Sequence, residues 1–184
     1  NEGMDRNHNP EFTMLEFYWA YADYEDNMNL VEDMIQKTAK ELGAEHLNWN
    51  DEEIDLSKKF KRASFYDLVS EVLDRDVSGI EFDELLKVCM EKGYDIKSKE
   101  TYSQLLDSIM SEYVEPKLIQ PTFVIDYPTI ISPLAKKHRN GNSNLVERFE
   151  LFIGGAEFAN AFTELNDPID QRQRFESQQK LAIQ

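Results

Sequence analysis

Gly154-Gly155 constrains this chain more than any other pair of residues. Extended runs flank it, and glycine accepts the positive φ that a two-residue hairpin turn demands. With the glycines as the whole turn, Ile153 opposes Ala156 and Phe152 opposes Glu157. Alternate residues of a strand point to opposite faces, so Glu150 falls on the same face as Glu157. Two convergent carboxylates make a hard-oxygen site of the kind Mg²⁺ prefers when it also binds substrate phosphates. Such a pair on its own is more often a solvated strand edge. Asn160, Phe162 and Glu164 alternate with one another but have the opposite parity to Glu157. They share its face only if a bulge lies between Glu157 and Asn160, and one is expected there. Asp167 and Pro168 then open a helix, and a polar tail from Gln171 to Gln184 is expected to fray.

The other chemical stretch is the opening one, NEGMDRNHNPEFTMLEFYWAYADY. A polar loop runs into Pro10, then an apolar and aromatic run from Phe12 to Tyr21. Read as a strand, one face carries Thr13, Leu15, Phe17, Trp19 and Tyr21, an ordinary core face. The other carries Phe12, Met14, Glu16, Tyr18 and Ala20. A buried carboxylate is costly unless paired or binding something. Glu16 is therefore either a satisfied core acid or the floor of a cationic or polar site.

Between these stretches the hydrophobic period is helical. Asp26 is expected to cap a helix carrying Leu30, Val31, Met34, Ile35 and Leu42, with Gly43 as its stop. Residues 44 to 63 are mixed, with a short edge strand expected within Glu53 to Phe60. Ser64 and Asp67 open a second helix as a capping pair. A third runs from about Glu81 to Gly93, and a fourth from near Ser98 to Val114, ended by Pro116. At Leu118 the pattern changes to a strand, LIQPTFVIDY, with Pro121 at its start or edge. Lys136-Lys137-His138-Arg139 opens a turn-forming loop. It reads as a solvated loop, or alternatively as a local contact to phosphate.

Thirty-six acids against 20 bases give a net charge of −16. A nucleic-acid-binding surface needs a basic patch, so this segment is not expected to provide one. The excess suits a cationic substrate, metal ions or simple solubility. The single cysteine, Cys89, excludes a disulfide within the chain and suits a reducing cytoplasm. No uncharged apolar run is long enough to span a membrane. Neither a G-x-G-x-x-G nor a Walker lysine pattern occurs.

The opening stretch resembles motif 2 of class II aminoacyl-tRNA synthetases, and specifically of the lysyl-tRNA synthetases. The matching residues are Asn1-Glu2-Gly3, His8-Asn9-Pro10-Glu11-Phe12-Thr13-Met14 and Glu16. The second stretch resembles the same family through Arg148-Phe149-Glu150, Phe152-Ile153-Gly154-Gly155, Glu157, Asn160, Phe162 and Glu164-Leu165-Asn166-Asp167. The runs Pro121-Thr122-Phe123 and Ser132-Pro133-Leu134-Ala135-Lys136 add to it.

The resemblance implies an α+β fold, an antiparallel class II catalytic sheet with a mainly helical insertion. Residues 1–24 would be the motif 2 loop and strand, 25–118 the insertion, and 119–184 the remaining strands and following helix. It implies ATP-dependent activation of L-lysine and its transfer to tRNA(Lys), by a cytoplasmic homodimer. Glu2 and Asn9 would meet the adenine end of ATP, His8 the phosphates, and Phe12 the adenine ring. Glu150 and Glu157 would hold Mg²⁺. Glu164 and Tyr18 would take the ε-ammonium of lysine, Glu16 and Asn160 would complete the site, and Phe162 would pack the aliphatic stem. The family's motif 2 arginine would precede Asn1, and motif 3 would follow Gln184. The resemblance thus implies an internal fragment, inactive by itself, with no catalytic arginine of its own. Two alternatives stay open: a paralogue that lysylates a translation factor, and a non-catalytic synthetase-like scaffold.

Overall fold

The computed structural model describes residues 9–96 and 101–182. Its centre is a four-stranded sheet of β3 (Lys61–Ser64), β4 (Thr122–Ile125), β5 (Arg148–Ile153) and β6 (Ala156–Phe162). They lie in that order, β3 parallel to β4 and the remaining pairs antiparallel. A parallel pair needs a long crossover. Here helices α2 (Phe65–Leu73), α3 (Phe82–Glu91) and α4 (Tyr102–Ile109) fill it.

Both faces of the sheet are covered, and the sequence of β5 shows why. Phe149, Leu151 and Ile153 point into one core with Tyr24, Met28, Val31, Ile54, Phe60 and Phe123. Phe152 points into the other with Phe65, Leu85, Leu105, Ile109 and Val124. A strand apolar on both sides must be sandwiched. Helix α1 (Tyr24–Glu41) and the hairpin of β1 (His46–Trp49) and β2 (Glu52–Asp55) contribute to the first layer. Helices α2 to α4 form the other.

Local signals set the boundaries. Asp23, not Asp26, caps α1: its carboxylate accepts from the amides of Glu25 and Asp26, while Asp26 sits at N3 and accepts from the amide of Asp23. Two acids three apart satisfy two orphan amides reciprocally, and this fixes the start three residues before the expected cap. Ser64 Oγ accepts from the Asp67 amide at 3.2 Å. Thr101 and Gln104 form a capping box for α4, three residues beyond Ser98, which lies outside the described residues. The fourth helix changes pitch before its expected end. A π-turn over Met110–Val114 passes into a 3₁₀ turn, Glu115–Lys117, holding Pro116, which has no N–H to give.

Strands fall where helix was expected to dominate: β1, β2 and β3 all lie within 25–118. The expected strand at Phe12 to Tyr21 does not form. Extended backbone becomes a strand only with a neighbour to take its hydrogen bonds, and none of the described residues pairs with it. Side chains of both its would-be faces are exposed, Phe12 and Leu15 alike.

Helix α5 (Pro168–Ala182) is anchored at its start, and the end expected to fray runs into residues 183–184, outside the described residues. Asp167 Oδ1 accepts from the amides of Ile169 and Asp170. Buried Arg174 forks onto Asp170 at 2.8 and 3.1 Å and donates to the carbonyl of Ala135 at 2.7 Å. No helix among the described residues is long and apolar enough to cross a membrane.

Two predictions follow from this packing. At Gly154 φ is +62°, and an added Cβ would lie 2.8 Å from Trp49 Cδ1. Gly154→Ala therefore combines left-handed strain with a clash, and urea unfolding should show a loss of about 2 kcal/mol. Adding Trp49→Ala should relieve the clash but not the strain. Asp170 behaves as a paired acid: the Arg174 hydrogen bonds hold its carboxyl below the ordinary aspartate value. A depressed folded pKa gives stability that is present above the unfolded value and lost as pH falls through the folded one. Asp170→Asn should cost about 3 kcal/mol at pH 7 by leaving Arg174 buried and unpaired. The gap between variant and parent should narrow as pH falls below the ordinary aspartate range and Asp170 itself takes a proton.

Candidate active site

The β5–β6 hairpin has the expected register at its turn: Ile153 pairs with Ala156 and Phe152 with Glu157. Beyond it, Leu151 pairs with Ala159 and Glu150 with Asn160, so Phe158 is an extra residue without an opposite number. This is the expected bulge. It leaves Ala159 and Ala161 against the core shared with α1. Phe162 packs against the helical core on the other side. Glu150, Glu157, Asn160 and Phe162 thereby share one face.

Glu150 is the most heavily bonded of them. Its Oε1 accepts from Arg148 Nη2 and, at 3.2 Å, from Asn160 Nδ2. Its Oε2 accepts from the Tyr127 hydroxyl at 2.7 Å. Arg148 also donates to Asn160 Oδ1, Ser132 Oγ and the Ile131 carbonyl, and lies 4.6 Å from the centre of the Tyr127 ring. Tyr127 is buried, and desolvation beside Glu150 pushes its hydroxyl well above the ordinary phenol value. It stays a proton donor.

More acids crowd this face. Close packing, then the charge of Glu150, raises the pKa of Glu157. Burial and the charges of Glu150, Glu157 and Asp107 push Glu115 up to about 7. Asp107 is raised too, by burial first. Arg148 could have been found by parity, two residues before Glu150 and on its face. Tyr127, Glu115 and Asp107 could not, because the crossover and the π-turn bring them in.

The remaining site residues divide. Glu2 and His8 lie outside the described residues. Asn9 is exposed, its Oδ1 accepting from the Glu11 amide at 3.3 Å, and Phe12 is 62% exposed. Glu16 is exposed rather than a core acid: the Tyr18 hydroxyl donates to its Oε1 at 3.0 Å. That bond and the charge of Glu16 raise the Tyr18 pKa, and Glu164 is near enough for its charge to add to the effect. Glu16 and Tyr18 are thus bonded to each other, and the charge of Glu164 acts on the same phenol. The loop at Lys136 to Arg139 is not a free cationic patch. Lys137 pairs with Asp170, His138 with Asp126, and Arg139 with Asp23 and Glu147. A cavity of about 1190 Å³ opens between Tyr66, Tyr102, Asp126, Thr129 and Arg174, away from Glu150 and Glu164.

No group of three or more His, Cys, Asp or Glu among the described residues is arranged to hold a metal ion by itself. Glu150 and Glu157 nevertheless fit Mg²⁺. They are hard oxygen donors whose mutual repulsion is visible in the raised Glu157, and Mg²⁺ is commonly held by one or two carboxylates plus phosphates.

A sheet with antiparallel β4, β5 and β6, bearing acids on one face and helices inserted before β4, is the catalytic-domain framework of a class II synthetase. The chain belongs to this family: the model for class II tRNA synthetases (D, K and N) matches residues 1–183. Its relatives include lysine–tRNA ligases. That of Staphylococcus epidermidis is 49% identical over 97% of this chain and 36% of its own length. Those of Deinococcus radiodurans and Porphyromonas gingivalis are 48% and 45% identical, over 97% and 99% of this chain and 34% and 32% of their own lengths. The chain therefore spans about a third of the curated relatives it matches.

The bulge gives a test of the hairpin. Removing Phe158 leaves Glu157, Ala159 and Asn160 on their present faces, so the variant lacking it should fold with a loss of about 1 kcal/mol or less. Removing Ala161 instead turns Phe162 out of the helical core and should cost about 3 kcal/mol or more. Urea midpoints of the two deletion variants decide it, and equal losses would contradict the register.

Proposed function

We propose that the chain is the ATP- and lysine-binding part of a lysine–tRNA ligase. The protein activates L-lysine with ATP as the adenylate and transfers it to tRNA(Lys). The observation that carries this reading is the pairing of two anionic groups on one hairpin and its neighbours. Glu150 and Glu157 lie at one end, and Glu164 with Tyr18 and Glu16 at the other.

Activation displaces pyrophosphate from ATP with the lysine carboxylate, so the protein's work is orientation and charge stabilisation. Glu150 and Glu157 would hold Mg²⁺, which when bound would supply positive charge to offset that of the ATP phosphates and departing pyrophosphate. Asn9 and Phe12, with Glu2 and His8, meet the nucleotide. Glu164 and the Tyr18 hydroxyl take the ε-ammonium. Glu16 and Asn160 complete the lysine site, and Phe162 lines its aliphatic stem. A desolvated ammonium binds well only when paired and hydrogen-bonded, which two carboxylates around a phenol provide. Aspartate and asparagine ligases of the same family select side chains for which this anionic group is the wrong sign. The chain's net charge of −16 suits the reading that tRNA is gripped mainly by other parts of the protein. A cytoplasmic homodimer is part of the same proposal.

Lysine-dependent ATP–pyrophosphate exchange tests it, run on a protein of the relatives' full length that carries this chain. Lysine should support exchange; ornithine and aspartate should not. Glu164→Gln should raise the KM for lysine about 100-fold, the worth of a lost charged hydrogen bond. Exchange with no amino acid would sink the ligase reading in favour of a scaffold.

A further inference from the structure

We propose that Tyr127 and Arg148 are positioning residues for Glu150, fixing its carboxylate so that a single lone pair of Oε2 is left for a divalent cation. The inference rests on the reading of Glu150 and Glu157 as the Mg²⁺ acids, and deepens it.

It comes from counting acceptor sites. An ionised carboxylate offers about four lone-pair positions, two on each oxygen. Arg148 Nη2 and Asn160 Nδ2 fill both positions on Oε1. The Tyr127 hydroxyl fills one on Oε2. One remains, so Glu150 is restricted to a single-oxygen contact with a metal. The three donors come from three places: Arg148 from β5 itself, Asn160 from the facing position of β6, and Tyr127 from just beyond β4. Rotation of the carboxylate would break bonds to all three.

The donors are themselves fixed. Arg148 spends Nε on Asn160 Oδ1 at 3.2 Å and Nη1 on Ser132 Oγ at 2.9 Å, with its guanidinium against the Tyr127 ring. A lysine at this position would offer a point charge but neither the fork nor the stacking plane. Tyr127 is 3% exposed, with its ring against Phe65 at a centroid separation of 5.2 Å, so its hydroxyl is aimed by the core. Mg²⁺ demands near-ideal octahedral geometry, which a freely turning carboxylate serves poorly. Partners that orient metal-binding groups are typically worth 10- to 100-fold in metal affinity.

The test uses Mn²⁺ as a paramagnetic stand-in for Mg²⁺, titrated with ATP present and followed by EPR on the full chain. Tyr127→Phe keeps the buried ring and removes only the hydroxyl; Arg148→Lys keeps the charge. Each should weaken Mn²⁺ binding about 10-fold or more and broaden the bound-ion spectrum, as Glu150 samples one- and two-oxygen contacts. Tyr94→Phe is the structural control, because it also deletes a hydroxyl bond, to the Val72 carbonyl, that involves none of the donors to Glu150. It should leave affinity and line shape unchanged. If Tyr127→Phe and Arg148→Lys bind Mn²⁺ as the parent does, while Glu150→Gln does not, the positioning role is wrong and the metal site stands. If Glu150→Gln and Glu157→Gln also bind as the parent, or the parent binds no Mn²⁺, the metal site itself is wrong.

Discussion

A strand cannot put consecutive residues on one face, and everything chemical about the last two strands depends on how that limit is met. Glu157 lies an odd number of residues before Asn160 and Phe162. In a regular ladder one of these sets would point into the core beneath α1, where Ala159 and Ala161 now sit. The extra residue, Phe158, removes the conflict, and it is solvated at 62% exposure instead of packed. Small alanines on one side and Glu157, Asn160 and Phe162 on the other then satisfy burial and chemistry together. The two-glycine turn is as constrained as the bulge: Gly154 lies against Trp49 and Gly155 against the backbone of Glu115 and Pro116. Docked there, the turn cannot swing, and the acids it carries keep their separation.

Charge is the second organising quantity. In a chain of net charge −16, Lys137, Arg139, Arg148 and Arg174 are each committed to particular acids. Arg148 answers Glu150, Arg174 answers Asp170, and Arg139 answers both Asp23 and Glu147. Glu147 shows the balance: burial alone would raise its pKa, and its bonds to Arg139 bring it down. Among the described residues no cation forms an ion pair with Glu157 or Glu115, and burial, then the neighbouring acids, raises both pKa values. The face that receives Mg²⁺ in our reading is thus the face where negative charge is left over, while structural acids elsewhere are matched.

Much of this was legible from residue types and spacing. The hairpin register followed from the glycines, the bulge from the clash of parity between Glu157 and Asn160, and α2 from Ser64 with Asp67. What failed did so for identifiable reasons. Asp23 displaced Asp26 as a cap because both acids of a capping box look alike in sequence. Phe12 to Tyr21 has a strand's composition, but a strand is a property of two segments, and composition describes only one. Glu115 and Asp107 joined the site through the π-turn and the crossover, which no local pattern announces. In sequence the basic loop admits two meanings, solvated or phosphate-binding; in the structure Lys137, His138 and Arg139 have a third, as pins. Conversely, the site roles of Asn9 and Phe12 rest on resemblance alone, and both side chains are exposed.

Those pins explain how an opening segment outside the sheet can still reach the site. Asp23 caps α1 and also accepts from Arg139 Nη1 at 2.7 Å, while Arg139 grips buried Glu147 just before β5. Next to it the Tyr24 hydroxyl lies 3.1 Å from both Asp126 Oδ1 and His138 Nε2. His138 Nδ1 accepts the Asn140 amide, so the proton sits on Nε2 and the ring donates toward Asp126. The start of α1, the end of β4 and the approach to β5 are therefore locked at one place. The chain leaving that knot toward its N-terminus passes Tyr18 and Glu16, and the strand leaving β6 passes Glu164. Their convergence on one phenol depends on hydrogen bonds several residues away, because the segment that carries Glu16 and Tyr18 has no ladder of its own. In our reading, selection of a cation by these three groups is only as firm as Asp23 and Tyr24 make it.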